Sequence, residues 1–221
     1  MERHFNGELN GLKQSILKMG VMTEEAVFRS IESLKNLDKE AALEVISDDA
    51  IIDEAELDIE KECLELLALK QPVAVDMRFI TMAMKIITDL ERIADLAVDI
   101  AQRVLQLVDK PLLKPLVDIP KLSSLAQDMI KSSISAFVNR DPDLAGRVIL
   151  LDPEADRLRN AVQEELVNDY MAKDASTVSR AVPLLLIARH LERICDHATN
   201  IAEDVIYLVQ AKVVKHHPEK L

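Results

Sequence analysis

The stretch Asp89-Leu-Glu-Arg-Ile-Ala-Asp-Leu-Ala-Val-Asp-Ile-Ala101 has a near copy in His190-Leu-Glu-Arg-Ile-Cys-Asp-His-Ala-Thr-Asn-Ile-Ala202. When residues 90–104 are aligned with residues 191–205, nine of the fifteen positions are identical. Self-similarity at a long, fixed separation indicates an internal repeat. The separation of 101 residues divides the 221-residue chain into two halves, each large enough to bury a core. We therefore predict two related domains.

The composition favours helices over strands. Aromatic residues make up only 3% of the chain, Trp is absent, and four Gly leave little material for tight hairpins. We predict an all-α fold of two tandem, pseudo-symmetric three-helix bundles built from six long antiparallel helices. The first bundle covers residues 1–110, a proline-rich linker covers 111–121, the second bundle covers 122–212, and 213–221 form a frayed tail.

Apolar spacing and capping residues predict the helices of the first bundle. A seam that alternates spacings of four and three runs from Phe5 to Ser33 and predicts a first helix of about 30 residues. Small residues line its second half, which indicates packing inside the bundle, with a dimer interface as the alternative. Asp38 is the expected N-cap of a second helix over about 40–69, and Pro72 the expected first residue of a third, which extends to about Val108.

Prolines mark the second bundle. After a fourth helix from Leu122, Asp141-Pro142 is typical of an N-cap followed by the first residue of a fifth. Pro153 either breaks that helix or restarts it with Asp152 as the cap. The sixth helix is expected to start near Asp174 or Ser176 and to run to about residue 211, with a kink at Pro183.

Charge and hydropathy exclude several classes of function. The formal net charge of −12 repels phosphate backbones, so we expect no nucleic-acid partner. The longest apolar run, Ala181–Ala188, is far shorter than the roughly 20 residues that span a bilayer. The N-terminus has no apolar signal region, so we expect a cytoplasmic protein. Cys63 and Cys195 are expected to be reduced packing residues.

The repeated stretch carries carboxylates at a spacing of four residues, which places them on one face of a helix. The rungs of this acidic ladder are Glu91, Asp95 and Asp99 in the first copy and Glu192, Asp196 and Asn200 in the second. The preceding helix of each half adds a similar pair, which is Asp49 with Asp53 and then Asp152 with Asp156. Each half can therefore present two acidic ladders from antiparallel helices, at a rim and not in the core.

Like charges four residues apart cost about 0.2–0.5 kcal/mol each on an exposed helix, and facing ladders add further repulsion. A bound cation would remove that cost, and oxygen ligands suit hard cations such as Mg²⁺, Mn²⁺, Ca²⁺ or ferric iron. The alternative interpretation is an ordinary solvated helix face. The recurrence of Glu-x-x-x-Asp with a following Arg in both halves favours a metal site. His197 is expected to be a packing or rim residue, and no glycine-rich phosphate loop or catalytic nucleophile motif is present.

Several stretches together resemble the PhoU family of phosphate-transport accessory and regulatory proteins. They are Phe5–Met22, Gln71-Pro72-Val-Ala-Val-Asp-Met-Arg78, Ile86-Ile-Thr-Asp-Leu-Glu-Arg92, Leu185-Leu-Ile-Ala-Arg189 and the second copy of the repeat, Leu191–Ala202. The resemblance implies a pair of three-helix bundles. It also implies a metal ion or multinuclear metal cluster at the ladder residues, with iron as the first choice and Mn, Mg, Zn or Ca as alternatives.

The resemblance further implies a role. It is that of a non-enzymatic negative regulator of the phosphate-starvation response, acting between the ATPase subunit of a high-affinity phosphate importer and a membrane sensor histidine kinase. A homodimer and peripheral recruitment to the membrane are part of that expectation. Two other functions stay open at this point, a carboxylate-bridged di-metal enzyme or iron-storage bundle and a metal-free helical scaffold. Against the di-metal enzyme, Ala94 and Cys195 stand where such sites carry His, three residues after Glu.

Overall fold

A computed structural model describes residues 2–214, with side chains from residue 5 onward, and all regular structure in this range is helical. The seven α-helices are α1 Glu2–Asn36, α2 Lys39–Lys70, α3 Ala74–Leu105, α4 Asp118–Asn139, α5 Pro142–Ile149, α6 Asp152–Glu165 and α7 Val178–Gln210. A π-helical turn, Leu166–Met171, and a 3-10 turn, Ala175–Thr177, connect α6 to α7. The predicted all-α fold is confirmed.

Tight turns join the three long helices of the first half. Asp38 is the N-cap of α2, as predicted, and its carboxylate accepts a hydrogen bond from the Ala41 amide at 3.0 Å. Gln71, in the left-handed region at φ 47°, ends α2. The prediction that Pro72 begins α3 is wrong, because Val73 is extended at ψ 166° and α3 starts only at Ala74.

The segment between the halves is shifted relative to the prediction. Helix α3 ends at Leu105, before the predicted Val108, and α4 begins at Asp118, ahead of the predicted Leu122. Pro120 lies in the first turn of α4, where the missing N–H would have had no intrahelical partner. Lys114 of this segment is buried and forms an ion pair with Glu165 of α6.

Pro153 divides the predicted fifth helix into α5 and α6. Asp141 caps α5 as predicted and accepts hydrogen bonds from two following amides, with Pro142 as the first helical residue. Proline cannot donate to the carbonyl four residues earlier, so the helix stops at Ile149 and restarts with Pro153 in its first turn. The expectation of Asp152 as the new cap is wrong, because Leu151 holds the N-cap position and Asp152 is already helical.

Helix α7 is continuous from Val178 to Gln210, with Pro183 inside it. Asp174 caps the preceding 3-10 turn by accepting from the Ser176 amide, close to the predicted start. Of the predicted tail, Val213 is exposed and Val214 is buried, and residues 215–221 lie outside the described range.

The two halves share one apolar core. Helix α3 packs on α7, and α1 packs on α4, where a Cβ at Gly20 would overlap the Ile134 side chain. The small residues of the α1 seam, among them Thr23, Ser30 and Ser33, are buried within the single chain. The alternative of a dimer interface along this seam is therefore wrong for these residues. None of the described helices has the length and hydropathy needed to cross a membrane.

Both cysteines are packing residues, as predicted. Cys63 and Cys195 are fully buried and unpaired with each other, and burial raises the pKa of the Cys63 thiol to about 12. Thiols held protonated in this way are poor nucleophiles and poor metal ligands.

Candidate metal sites in two carboxylate grooves

The structure brings four of the predicted ligands together between the antiparallel helices α2 and α3. This first groove consists of Asp49 and Asp53 from α2 and Glu91 and Asp95 from α3. Asp53 and Asp95 are close enough to Asp49 and Glu91 to raise the pKa of both. Partial burial and the charges of Asp53 and Asp95 raise the pKa of Asp49 to about 6.

Glu91 is the second carboxylate of the first groove whose pKa is raised. Burial and the charges of Asp95, Glu56 and Asp53 raise its pKa to about 7, although Arg92 acts in the opposite direction. Its side chain is only 17% exposed, and its buried Oε2 atom accepts no hydrogen bond. Arg92 Nε lies 3.3 Å from that oxygen, while Arg92 Nη1 donates to Asp95 Oδ2 at 3.1 Å. Glu91 Oε2 is therefore ion-paired with Arg92 but not hydrogen-bonded, and a buried oxygen without a hydrogen bond is a candidate ligand position.

The second groove repeats this arrangement between α6 and α7. It consists of Asp152, Asp156, Glu192 and Asp196. Burial and the charges of the other three raise the pKa of Asp196 to about 6. Burial and Asp156 also raise the pKa of Asp152, whose Oδ1 accepts from Thr199 Oγ1 at 3.5 Å. Pro153 therefore leaves Asp152 and Asp156 on the same groove.

Arginine partly neutralises the second groove. Arg159 Nη2 lies 3.4 Å from Glu192 Oε1 and 3.3 Å from Asp156 Oδ1. Burial raises the pKa of Glu192, and Arg159 lowers it. The residue of the first half that aligns with Arg159 is Glu56, which adds negative charge to the first groove.

The third rung of each ladder lies outside the grooves. Asp99 faces His190, with 3.7 Å between Asp99 Oδ2 and His190 Nδ1, and Asn200 Nδ2 donates to Asp89 Oδ1 at 3.4 Å. These two contacts are related by the repeat, because Asp89 aligns with His190 and Asp99 with Asn200. The predicted ligands Asp99 and Asn200 instead join the two halves across the α3–α7 interface.

His197 belongs to the same interface. Its Nδ1 lies 2.8 Å from Asp89 Oδ1, and both side chains are less than one-fifth exposed. The sequence missed this pair because the repeat places Leu96 at the position of His197. It also missed Glu56 and Arg159, although extending the α2 and α6 faces by one turn beyond Asp53 and Asp156 would have found both.

The donor set of each groove fits a hard cation, since all four side chains offer carboxylate oxygens and Glu91 Oε2 has no hydrogen-bond donor. Over residues 2–214, no three His, Cys, Asp or Glu side chains are already arranged around a single point as ligands. The grooves therefore offer the chemistry of a cation site without a preformed cage.

Comparison with known proteins agrees with the duplicated architecture. The sequence matches the PhoU domain family twice, over residues 16–104 and over residues 119–205. The chain belongs to the PhoU family. Each matched span contains one carboxylate groove, so the two PhoU domains of this chain carry one groove each.

Relatives of this PhoU chain match it over almost its whole length. A phosphate-specific transport system accessory protein PhoU homolog of Aquifex aeolicus is 41% identical, with 95% of this chain and 94% of that protein covered. The phosphate-specific transport system accessory protein PhoU homolog 2 of Thermotoga maritima is 34% identical, with 100% of this chain and 94% of that protein covered.

Solved PhoU structures share the fold. The crystal structure of PhoU from Pseudomonas aeruginosa has a TM-score of 0.90 at 37% identity, covering 94% of this chain and 100% of that one. The phosphate transport system regulatory protein PhoU from Streptococcus pneumoniae has a TM-score of 0.89 at 31% identity, covering 95% and 99%. The pair of three-helix bundles predicted from the repeat is thus the fold of this PhoU chain.

Proposed function

We propose that this chain is a negative regulator of the phosphate-starvation response and an accessory of a high-affinity phosphate importer. It would act in the cytoplasm as a non-enzymatic adaptor between the importer's ATPase subunit and a membrane sensor histidine kinase. The observation that carries this proposal is the 41% identity, over 95% of the chain, to a phosphate-specific transport system accessory protein.

The test is made in cells. A strain that lacks this chain should express phosphate-scavenging genes in phosphate-rich medium, and the wild-type chain supplied in trans should restore repression. Normal repression in the strain without the chain would contradict the regulatory role. Partner capture from phosphate-rich and phosphate-poor cells should recover the ATPase subunit and the kinase, and failure to recover either would remove the adaptor part of the proposal.

We further propose that each groove binds a metal ion or cluster, with iron as the first choice. Asp49, Asp53, Glu91 and Asp95 would hold it in the first half, and Asp152, Asp156, Glu192 and Asp196 in the second. The bound cation would supply positive charge that cancels the repulsion among the carboxylates. Ala94 and Cys195, which occupy the His positions of di-metal enzymes, are buried in helix packing, and this weighs against an oxidase or iron-storage function.

An exposed apolar stripe supports protein contacts. Leu43, Leu57 and Leu64 project from α2 within about 60° of one another around the helix axis, and each is about half exposed or more. Large apolar side chains that stay in contact with water along one helix are typical of interaction surfaces. We propose that this face serves a homodimer or a partner. Sedimentation of the wild type beside L57E/L64E separates the two, since only a homodimer would become monomeric.

A further inference from the structure

A cavity of about 510 Å³ lies between α6 and α7 and overlaps the second groove, since Glu192 and Asp196 belong to both. Three arginines line it, Arg159, Arg189 and Arg193, together with Gln163, Glu192 and Asp196. Three guanidinium groups against two carboxylates give its wall a net positive charge. This is unexpected in a chain whose formal net charge is −12.

Two of the three arginines are uncommitted. Arg159 is held by Asp156 and Glu192. Arg189 and Arg193 are exposed, and within residues 2–214 neither forms a hydrogen bond or an ion pair. Burial lowers the pKa of the neighbouring His190, Asp99 raises it, and Arg103, Arg193 and Arg189 lower it further.

The positive charge of this cavity is absent from the aligned surface of the first half, so the shared fold does not require it. Arg159, Gln163 and Arg189 align with Glu56, Glu60 and Thr88, so the equivalent surface there is acidic. Arg193 aligns with Arg92, but Arg92 is engaged by Glu91 and Asp95. Among the described residues, the matching surface of the first half therefore has no counterpart to the free pair Arg189 and Arg193.

We propose that the cavity between α6 and α7 binds a phosphate-class oxyanion through Arg189 and Arg193. The planar guanidinium fork donates two parallel hydrogen bonds to the oxygens of a tetrahedral anion, and Gln163 offers a further amide donor. The volume accommodates a hydrated inorganic phosphate or a phosphoryl group carried on a larger molecule. This assignment depends on the cavity and its charges and does not depend on the proposed regulatory role.

The test is isothermal titration of the full-length, chelator-treated protein with inorganic phosphate at low ionic strength. We expect saturable binding that weakens at least about tenfold in R189Q and in R193Q, because each substitution removes charge-assisted hydrogen bonds. The double variant should bind no measurable phosphate. R92Q, which alters the matching arginine of the first half, should bind like the wild type, and circular dichroism should show equal helix content in all four variants.

Three outcomes would overturn the proposal. The first is absence of binding to both inorganic phosphate and O-phosphoserine, which stand for the free and the carried phosphoryl group. The second is equal affinity in the wild type and the R189Q/R193Q variant. The third is phosphate binding that requires added metal and is unchanged by replacing Arg189 and Arg193. That result would mean that the anion binds to a cation held in one of the grooves. Binding of O-phosphoserine in preference to phosphate would support the site and identify a carried phosphoryl group as its ligand.

Discussion

The two halves of the chain hold the same four carboxylates in different electrostatic surroundings. In the first groove Glu56 adds a fifth acid, and its Oε1 accepts from Thr88 Oγ1 at 3.1 Å. In the second, Arg159 occupies the position of Glu56 and pairs with Glu192. Both halves carry the same four-carboxylate arrangement, but the neighbouring residue is the acidic Glu56 in the first half and the basic Arg159 in the second.

The carboxylates of the grooves are common to both halves, whereas the residues around them are not. Backbone geometry places four acids in each groove, because the pairs on adjacent antiparallel helices share a face at a spacing of four residues. The side chains one turn away are free to diverge. The first groove is accordingly the more strongly acidic, and the second combines carboxylates with the arginine-lined cavity.

Metal binding should fall most when carboxylates of the two grooves are replaced, and it should not fall when other residues of the ladder are replaced. D49N/E91Q should lower metal affinity in the first half at least about a hundredfold, since even residues that only orient metal ligands contribute up to that amount. D152N/E192Q should do the same in the second half, and each double variant should retain half of the wild-type metal. Metal content after purification without chelator, measured by mass spectrometry, checks this.

The matched control is D99N, which changes a carboxylate of the same α3 ladder outside the groove. Its metal content should equal that of the wild type. Equal, substoichiometric metal in all of these proteins would leave the grooves as solvated helix faces.

Asp99 lies outside the groove although it belongs to the same acidic ladder as Glu91 and Asp95. A spacing of four residues advances about 400° around a helix, so each rung is rotated by about 40° from the one before it. Glu91 and Asp95 still share a groove, but Asp99 is rotated about 80° from Glu91 and reaches the α3–α7 interface instead. The spacing of the three acids therefore could not distinguish the two groove residues, Glu91 and Asp95, from the interface residue Asp99.

Helix starts were predictable where a local capping hydrogen bond determines them. Asp38 and Asp141 act as caps because their carboxylates satisfy amides that the helix leaves free. Prolines were less predictable, since Pro120 is accommodated in a first turn while Pro153 ends one helix and begins another. Whether a proline is accommodated in a first turn or ends a helix depends on tertiary packing. A single sequence carries no direct information about that packing. The sequence alone could have placed Arg159 near Asp156, but its ion pair with Glu192 depends on the packing of α6 against α7.

The next effect concerns pH in the metal-free protein. The pKa of Glu91 is raised from its ordinary 4.5 to about 7, so between these pH values the folded state binds more protons than the unfolded state. Stability should therefore fall as pH rises through that window. E91Q should remove this loss and gain about 1–2 kcal/mol over the wild type at pH 8, after allowance for solvent screening.

Urea unfolding of chelator-treated proteins at pH 4.5 and pH 8 measures the effect. At pH 4.5, where Glu91 is largely protonated, E91Q and the wild type should have similar stability. E192Q should gain less than E91Q at pH 8, because replacing Glu192 also removes the partner of Arg159. A larger gain for E192Q would reverse the ranking of the two grooves.

A smaller change in stability is expected for the two histidines of the α3–α7 interface. The repeat relates the two ends of this interface, because Asp89 aligns with His190. At one end His197 Nδ1 is hydrogen-bonded to Asp89 at 2.8 Å. At the other, His190 Nδ1 and Nε2 are both buried without a hydrogen-bond partner, and burial lowers the pKa of His190 so that the ring is neutral at pH 7. A buried polar group without a partner costs stability, whereas a partnered one contributes to it.

Leucine substitutions at the two histidines should consequently have opposite signs. H197L should lower the free energy of unfolding by about 1 kcal/mol, since it removes a hydrogen bond and leaves the half-buried Asp89 with only Asn200. H190L should leave stability unchanged or raise it by up to about 1 kcal/mol, because it replaces an unsatisfied ring with an apolar side chain. Urea midpoints at pH 7 with unchanged m-values would measure both. Equal losses in the two variants would show that His190 has a partner in solution and that the two ends of the interface are alike.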